Sequence, residues 1–123
     1  MLELKNDMGK DHISEIIECI KKLGYLDKTI FISFKWNNLI CVKEYFSEAE
    51  VQFLVDKCDE ELIKLLFESH IDIDIFYEVL SKELVDKLHS NGIKINCWTV
   101  DSPEEALRMT EFGVDFITSN ILE

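Results

Sequence analysis

Proline and glycine are scarce in this sequence, with one Pro and four Gly among 123 residues. Flexible linkers and disordered segments are usually rich in these residues or poor in apolar ones. Here 47% of the residues are hydrophobic, which is enough to build a core. We therefore predict one folded domain that spans residues 1–123.

Basic residues are also few, because 13 Lys and Arg stand against 25 Asp and Glu, giving a net charge of −12. Nucleic-acid binding needs a basic face that neutralises phosphates, so we expect no nucleic-acid partner. No apolar run approaches the roughly 20 residues that span a bilayer, and the N-terminus has no basic-then-apolar signal sequence. We expect no membrane span in this chain.

Cysteine pairs with metal-site or redox-site spacing are missing. The four cysteines are Cys19, Cys41, Cys58 and Cys97, and no two of them form a C-x-x-C motif. This pattern predicts reduced and mostly buried thiols, which behave as small apolar side chains. Reduced thiols in turn favour a cytoplasmic location.

The clearest local pattern is a strand that leads directly into a capped helix. Gly92 suits the left-handed position that ends a helix, and residues 93–100 form a β-rich run. Ser102 can cap the next helix, Pro103 fits its first turn, and Glu105 completes a capping-box pattern. This arrangement predicts one strand-helix unit of an α/β fold.

Similar units recur along the chain. Predicted strands start near residues 2, 30, 51, 71, 93 and 115, and helical patterns lie between them. Apolar strands at this regular spacing indicate parallel strands covered by helices. The predicted fold class is α/β, an incomplete TIM (β/α)8 barrel with about six parallel β-α units. An open doubly wound sheet is the alternative, disfavoured because no glycine-rich phosphate turn follows a strand.

Four segments resemble the glycerophosphodiester phosphodiesterase family, a TIM-barrel family related in fold to phosphatidylinositol-specific phospholipase C. They are L-E-L-K at 2–5, I-S-F with N-L at 32–39, the L-V…H…G…W-T-V block at 84–100, and G-V-D-F-I-T-S-N at 113–120. The last two segments are the more specific ones. The similarity covers essentially the whole chain.

The resemblance implies that the chain corresponds to the C-terminal portion of such a barrel and lacks its first two strands. Those strands carry the family's His-Arg, Glu-x-Asp and His-Asp motifs. The family reaction is metal-dependent hydrolysis of a glycerophosphodiester to an alcohol and glycerol-3-phosphate. The alternative is a catalytically inactive truncated relative, acting as a partial-barrel binding module or as a homo-oligomer formed through the open sheet edge.

By the same resemblance, Glu3 would be a carboxylate ligand of a divalent cation, Mg²⁺ or Ca²⁺. Lys5 would stabilise charge on the phosphodiester. Phe34 and Trp98 would form an apolar wall against the glycerol or the leaving alcohol. The competing interpretations are a rim acid paired with its neighbouring lysine, a surface lysine, and ordinary core aromatics.

The three histidines, His12, His70 and His89, fall outside the predicted strand ends, where a barrel places its catalytic groups. We expect each to be structural, and we expect no catalytic residue in this chain. Asp72 and Asp74 lie two residues apart on one predicted strand. One-sided solvation of that strand and metal binding both explain this pair.

Overall fold

The computed structural model describes residues 2–6 and 8–118. The chain divides into two compact units, residues 1–54 and 55–123, and each is described separately. The expectation of a single domain stays a prediction. Within the described ranges, no helix is long and apolar enough to cross a membrane.

Unit 1 alternates strands and helices. Its elements are β1 (Leu2–Glu3), α1 (Lys10–Lys22), β2 (Ile30–Ser33), α2 (Trp36–Tyr45) and β3 (Glu50–Val55), with a 3-10 turn at Leu26–Lys28. The three strands pair in parallel in chain order, with Glu3 opposite Ile32 and Ile32 opposite Gln52. The helices cover one face of these strands through fully buried Phe31 and Leu39.

Unit 2 continues the same alternation. Its elements are α3 (Glu60–Ser69), β4 (Asp72–Phe76), a 3-10 turn (Tyr77–Val79), α4 (Lys82–Ser90), β5 (Ile95–Trp98), α5 (Pro103–Phe112) and β6 (Phe116–Ile117). Its strands are also parallel and ordered β4-β5-β6, with Asp74 opposite Asn96 and Asn96 opposite Phe116. Ser119 and Asn120, which end the last resembling segment, lie outside the described residues.

The predicted helix boundaries around β5 are confirmed. Gly92 has a left-handed φ of 74°, and the Ser102 hydroxyl accepts a hydrogen bond from the Glu105 backbone N–H at 3.1 Å. The strand itself is shorter than the predicted 93–100. Its first predicted residue, Ile93, instead donates its backbone N–H to Leu88 O at the end of α4.

All four cysteines are free thiols. Cys41 and Cys97 are buried and Cys58 is half-buried, but Cys19 is exposed, so the expectation of mostly buried thiols is wrong for Cys19. The reason is its position on α1, because this helix turns Ile13 and Ile17 to the core instead. The cytoplasmic location inferred from cysteine usage stays a prediction.

Thiol reactivity should follow this burial. Burial and the Asp74 carboxylate raise the pKa of Cys97 to about 12, and burial and Asp59 raise that of Cys58 to about 11. Because the thiolate is the reactive form, both should stay unreactive at pH 8. Titration of the folded protein with a thiol reagent should label Cys19 first. Rapid labelling of Cys97 without denaturant would contradict this.

The raised pKa values of Cys97 and Cys58 also determine how the stability of the fold changes in alkaline solution. A thiol with a raised pKa in the folded state stabilises the fold fully below its unfolded value of 9.0. That contribution is lost as the pH rises from about 9 towards the folded values. The free energy of unfolding should therefore fall in strongly alkaline solution.

Candidate functional site

Three of the four predicted site residues lie along one face of unit 1. Side chains alternate between the two faces of a strand, so Glu3 shares a face with its register partner Ile32. The ladder continues past β1, because Leu4 N–H donates to Ile32 O at 2.8 Å. Lys5 and Phe34 therefore follow on the same face, at the strand exits. Phe34 is 52% exposed, which excludes an ordinary core role.

Two buried polar side chains fix the backbone around Lys5. The Ser33 hydroxyl donates to Leu4 O at 2.6 Å. Asn38, on α2, donates its amide N–H to Asn6 O at 2.7 Å and accepts from Met8 N–H at 3.0 Å. The backbone on both sides of the lysine is therefore held to β2 and α2.

Sequence reasoning missed this role of Asn38. The residue entered only as part of a resembling segment, although it is 1% exposed in the fold. The available signal was a polar residue next to Leu39 on the apolar side of a predicted helix. Such a residue has to satisfy its amide inside the protein, so it points to a buried hydrogen-bond network.

In unit 2, Trp98 is the last residue of β5 and is half-buried. Its indole N–H donates to Asp74 O on the neighbouring strand at 3.0 Å. Its ring lies 5.1 Å from the ring of Phe76, the last residue of β4, at a tilt of 32°. The indole is thus fixed in orientation at the strand exits while part of its surface remains accessible.

Two polar side chains in the middle of β4 and β5 are buried. Asp74 is 1% exposed and its register partner Asn96 is fully buried. Asn96 accepts a hydrogen bond from the Thr118 hydroxyl at 3.1 Å. One-sided solvation of β4 is therefore the wrong explanation for Asp74, because both faces of this strand are covered. Asp72 lies at the strand start and accepts from Lys94 N–H at 2.9 Å.

Two of the histidines lie at the starts of the strands of unit 2. His89 Nε2 is 2.8 Å from Asp115 Oδ2, an oxygen that also accepts from Ile95 N–H at 2.7 Å. This contact joins α4 to the beginnings of β5 and β6. His70 ends α3 in a left-handed conformation, with φ at 55°, just before β4. Both are at the opposite strand end from Trp98.

The third histidine is in unit 1. His12 lies in the first turn of α1 and is exposed. A helix that follows a parallel strand begins near the exit of that strand, so His12 is on the exit side but in the outer, helical layer. The expectation that the histidines are structural stays a prediction.

Glu3, the predicted ligand of a divalent cation, is exposed in unit 1. Hard cations take six or more oxygen ligands, and Mg²⁺ usually combines carboxylates with water and substrate oxygens. Among residues 2–6 and 8–118, no three His, Cys, Asp or Glu side chains are grouped to hold a metal ion. The described residues do not fit a complete cation site.

Known proteins resemble this chain in sequence. The model of the glycerophosphoryl diester phosphodiesterase family matches residues 2–122. The chain belongs to this family. A glycerophosphodiester phosphodiesterase from Caldanaerobacter subterraneus subsp. tengcongensis is 29% identical over 109 residues, which are 86% of this chain and 44% of the relative.

Solved structures share the fold of this chain. A Silicibacter pomeroyi protein assigned to the family superposes with a TM-score of 0.86 at 22% identity, over 97% of this chain and 45% of its own. A glycerophosphodiester phosphodiesterase from Parabacteroides distasonis gives a TM-score of 0.79 at 25% identity, over 97% and 52%. The predicted fold class, α/β with an incomplete TIM barrel of about six parallel β-α units, is confirmed. This phosphodiesterase-family chain spans about half the length of the relatives it matches.

Proposed function

We propose that this chain binds a glycerophosphodiester at its strand exits and contributes the substrate-contacting part of a phosphodiesterase site. Hydrolysis to an alcohol and glycerol-3-phosphate would then need catalytic groups from outside this chain. The observation that carries the proposal is the placement of Trp98. Its half-buried indole is anchored at the exit of β5 by a hydrogen bond and a ring contact, as a wall for an apolar ligand surface would be.

Each unit carries its own candidate contacts. In unit 1, Lys5 offers a positive charge to a phosphate, and exposed Phe34 offers an apolar surface beside it. Ser33 and Asn38 support this assignment, because they hold the backbone that carries the lysine. In unit 2, Trp98 offers a surface to glycerol or the alcohol. Glu3 could complete a Mg²⁺ or Ca²⁺ site only together with further oxygen ligands.

The placement of the histidines is the reason for assigning binding without hydrolysis. General acid-base catalysis requires a proton-transferring group within hydrogen-bond reach of the reacting atoms. His70 and His89 lie at the strand starts of unit 2, and His89 contacts Asp115. His12 projects from the outer helical layer of unit 1. His70 and His89 are thus at the strand ends opposite Trp98, and His12 lies in the helical layer outside the strands that carry Lys5 and Phe34.

Ligand-dependent fluorescence tests this proposal, because the sequence contains two tryptophans. In the Trp36→Phe variant the emission reports on Trp98 alone, and sn-glycerol-3-phosphate or glycerophosphocholine should change it saturably. Trp98→Phe is the matched control, because its remaining indole packs on Phe53 within unit 1. An unchanged Trp98 signal, or an equal change in the control, would contradict the proposed binding surface.

Self-association is the second candidate, favoured by the edge of unit 1. β1 pairs with β2 on one side, and Phe34 and half-buried Ile30 and Ile32 leave apolar surface on the same face. Exposed strand edges of this kind invite pairing with another chain, here a second copy. Size-exclusion chromatography with light scattering should then report a dimer. A monomer across the accessible concentration range would exclude this candidate.

A further inference from the structure

A groove in unit 1 lies between the first strand and the end of the first helix. Leu23 directly follows α1 and is 64% exposed, and Tyr25 is 58% exposed, although both side chains are large and mostly apolar. The groove has a volume of about 230 Å³ and is lined by Leu2, Ile20, Leu23, Tyr25, Lys28 and Thr29.

Helix α1 carries more apolar surface than unit 1 covers. Ile13 and Ile17 are buried in the core. Ile16 and Ile20 are only half-buried, and Leu23 is exposed. Positions 16, 20 and 23 are spaced by four and three residues, so they lie on one side of the helix. The helix therefore presents an apolar flank beside its core face.

Backbone hydrogen bonds hold Tyr25 against this flank. Gly24 takes a left-handed φ of 78°, its N–H donates to Lys21 O at 3.0 Å, and the Tyr25 N–H donates to Ile20 O at 3.2 Å. This pair of bonds forms a Schellman motif, in which the residue after the glycine folds back onto the last turn of the helix. Tyr25 is thus fixed beside Ile20 at the groove.

The other wall of the groove is β1. This strand is first in the strand order of the described residues, and β2 is its parallel partner. Leu2 is opposite Phe31, so the two side chains share the face that the helices cover. Phe31 is fully buried there, whereas Leu2 is half-buried. A strand added beside β1 would continue the sheet, and its helix would lie beside α1 over the groove.

We infer that this groove receives the helix of a further parallel β-α unit, whose strand pairs with β1. This chain spans about half the length of the relatives it matches, so each relative has further chain beyond these elements. A closed (β/α)8 barrel also contains more strands than the six found among the described residues. The groove would be filled in the same way by a unit that precedes residue 1 in one polypeptide or by a separate chain.

A second copy of this chain matches the groove less well. Two identical strand edges that pair about a twofold axis run antiparallel, whereas the strands of unit 1 pair in parallel. The inference rests on the proposed function in one respect, because that function needs catalytic groups from outside this chain. It goes further by naming the surface that binds the segment supplying them.

Co-expression with the N-terminal part of the Caldanaerobacter relative, up to its matched segment, tests the inference. The tagged fragment should retain this chain as a one-to-one complex, measured by light scattering. Leu23→Glu should weaken retention about tenfold or more, because it places a charge in an apolar contact. Leu107→Glu is the matched control, since Leu107 is a 61% exposed leucine on α5 of unit 2, and it should leave retention unchanged.

Cys19 reports on the same surface when the fragment is fused ahead of residue 1. This exposed thiol is three residues from Ile16 and four from Leu23, so it borders the apolar flank. In the fusion, Cys19 should react with a thiol reagent about tenfold or more slowly than in the isolated chain, because the docked helix limits access. Peptide mass spectrometry measures the rate, and circular dichroism confirms that each protein is folded.

Unchanged Cys19 labelling in the fusion would overturn the inference, whether or not the separate fragment is retained. Equal retention of the Leu23→Glu and Leu107→Glu proteins would overturn it as well. A dimer of the isolated chain that Leu23→Glu dissociates would identify a second copy as the occupant, contrary to the inference. The proposed function fails separately, because it is tested by Trp98 emission in unit 2 with no fragment present.

Discussion

Replacing Asn38 by alanine is expected to lower the free energy of unfolding by about 2–4 kcal/mol. The side chain is buried and bonds the backbone at Asn6 and Met8. Its loss would leave these part-buried backbone groups without their partner in the protein, which costs more than the net value of the hydrogen bonds themselves. Urea denaturation measures the change.

The neighbouring residue provides the control for this prediction. Asn37 has the same chemistry and lies on the same helix but is exposed, so Asn37→Ala should change stability by about 0.5 kcal/mol or less. Equal effects of the two substitutions would mean that the buried network does not hold the segment around Lys5. Hydrogen exchange at residues 4–6 should also rise in Asn38→Ala and stay unchanged in the control.

Leu66→Ala is expected to cost about 2–5 kcal/mol, the range for large-to-small changes in a packed core. Leu66 on α3 has no exposed surface, so its truncation removes buried apolar area and leaves a cavity. This helix packs in unit 2, which carries Trp98. The substitution should therefore also lower the midpoint of thermal unfolding.

Leu65 is the matched control for Leu66, since it is adjacent on the same helix but 40% exposed. Leu65→Ala should cost less than about 1 kcal/mol, because its side chain loses little buried area. Similar losses from both substitutions would contradict the burial seen in the structure.

Features set by neighbouring residues were predictable from the sequence. The left-handed turn at Gly92 and the cap at Ser102 depend on backbone conformations that few residue types favour. The regular spacing of apolar runs likewise predicted the strand-helix order and, with the resemblance, the fold class. These signals are local or periodic, so they survive without knowledge of the packing partners.

Features set by packing across strands were not predictable. Asp74 alternates with isoleucines in the same way whether the opposite face meets solvent or other side chains, so the sequence left one-sided solvation and metal binding both open. In the fold it lies beside Asn96 and is 1% exposed. Burial of this kind depends on which strands are neighbours, so it requires the register of β4 and β5.

The candidate site also combines features that the sequence predicts with features that depend on strand packing. Glu3, Lys5, Phe34 and Trp98 came from the resemblance and lie at strand ends, but none of their roles follows from residue type alone. The contact between Trp98 and Phe76 depends on the register of two strands that are distant in sequence. This ring contact was therefore visible only once both strands had been paired.

The most direct test of binding without hydrolysis is an assay of glycerophosphocholine turnover by this purified chain with Mg²⁺ and with Ca²⁺. Enzymatic detection of glycerol-3-phosphate should show no release above the buffer rate, in protein whose Trp98 emission responds to the ligand. Turnover proportional to the protein concentration, and abolished by His12→Ala, would contradict the account and place a catalytic histidine on α1.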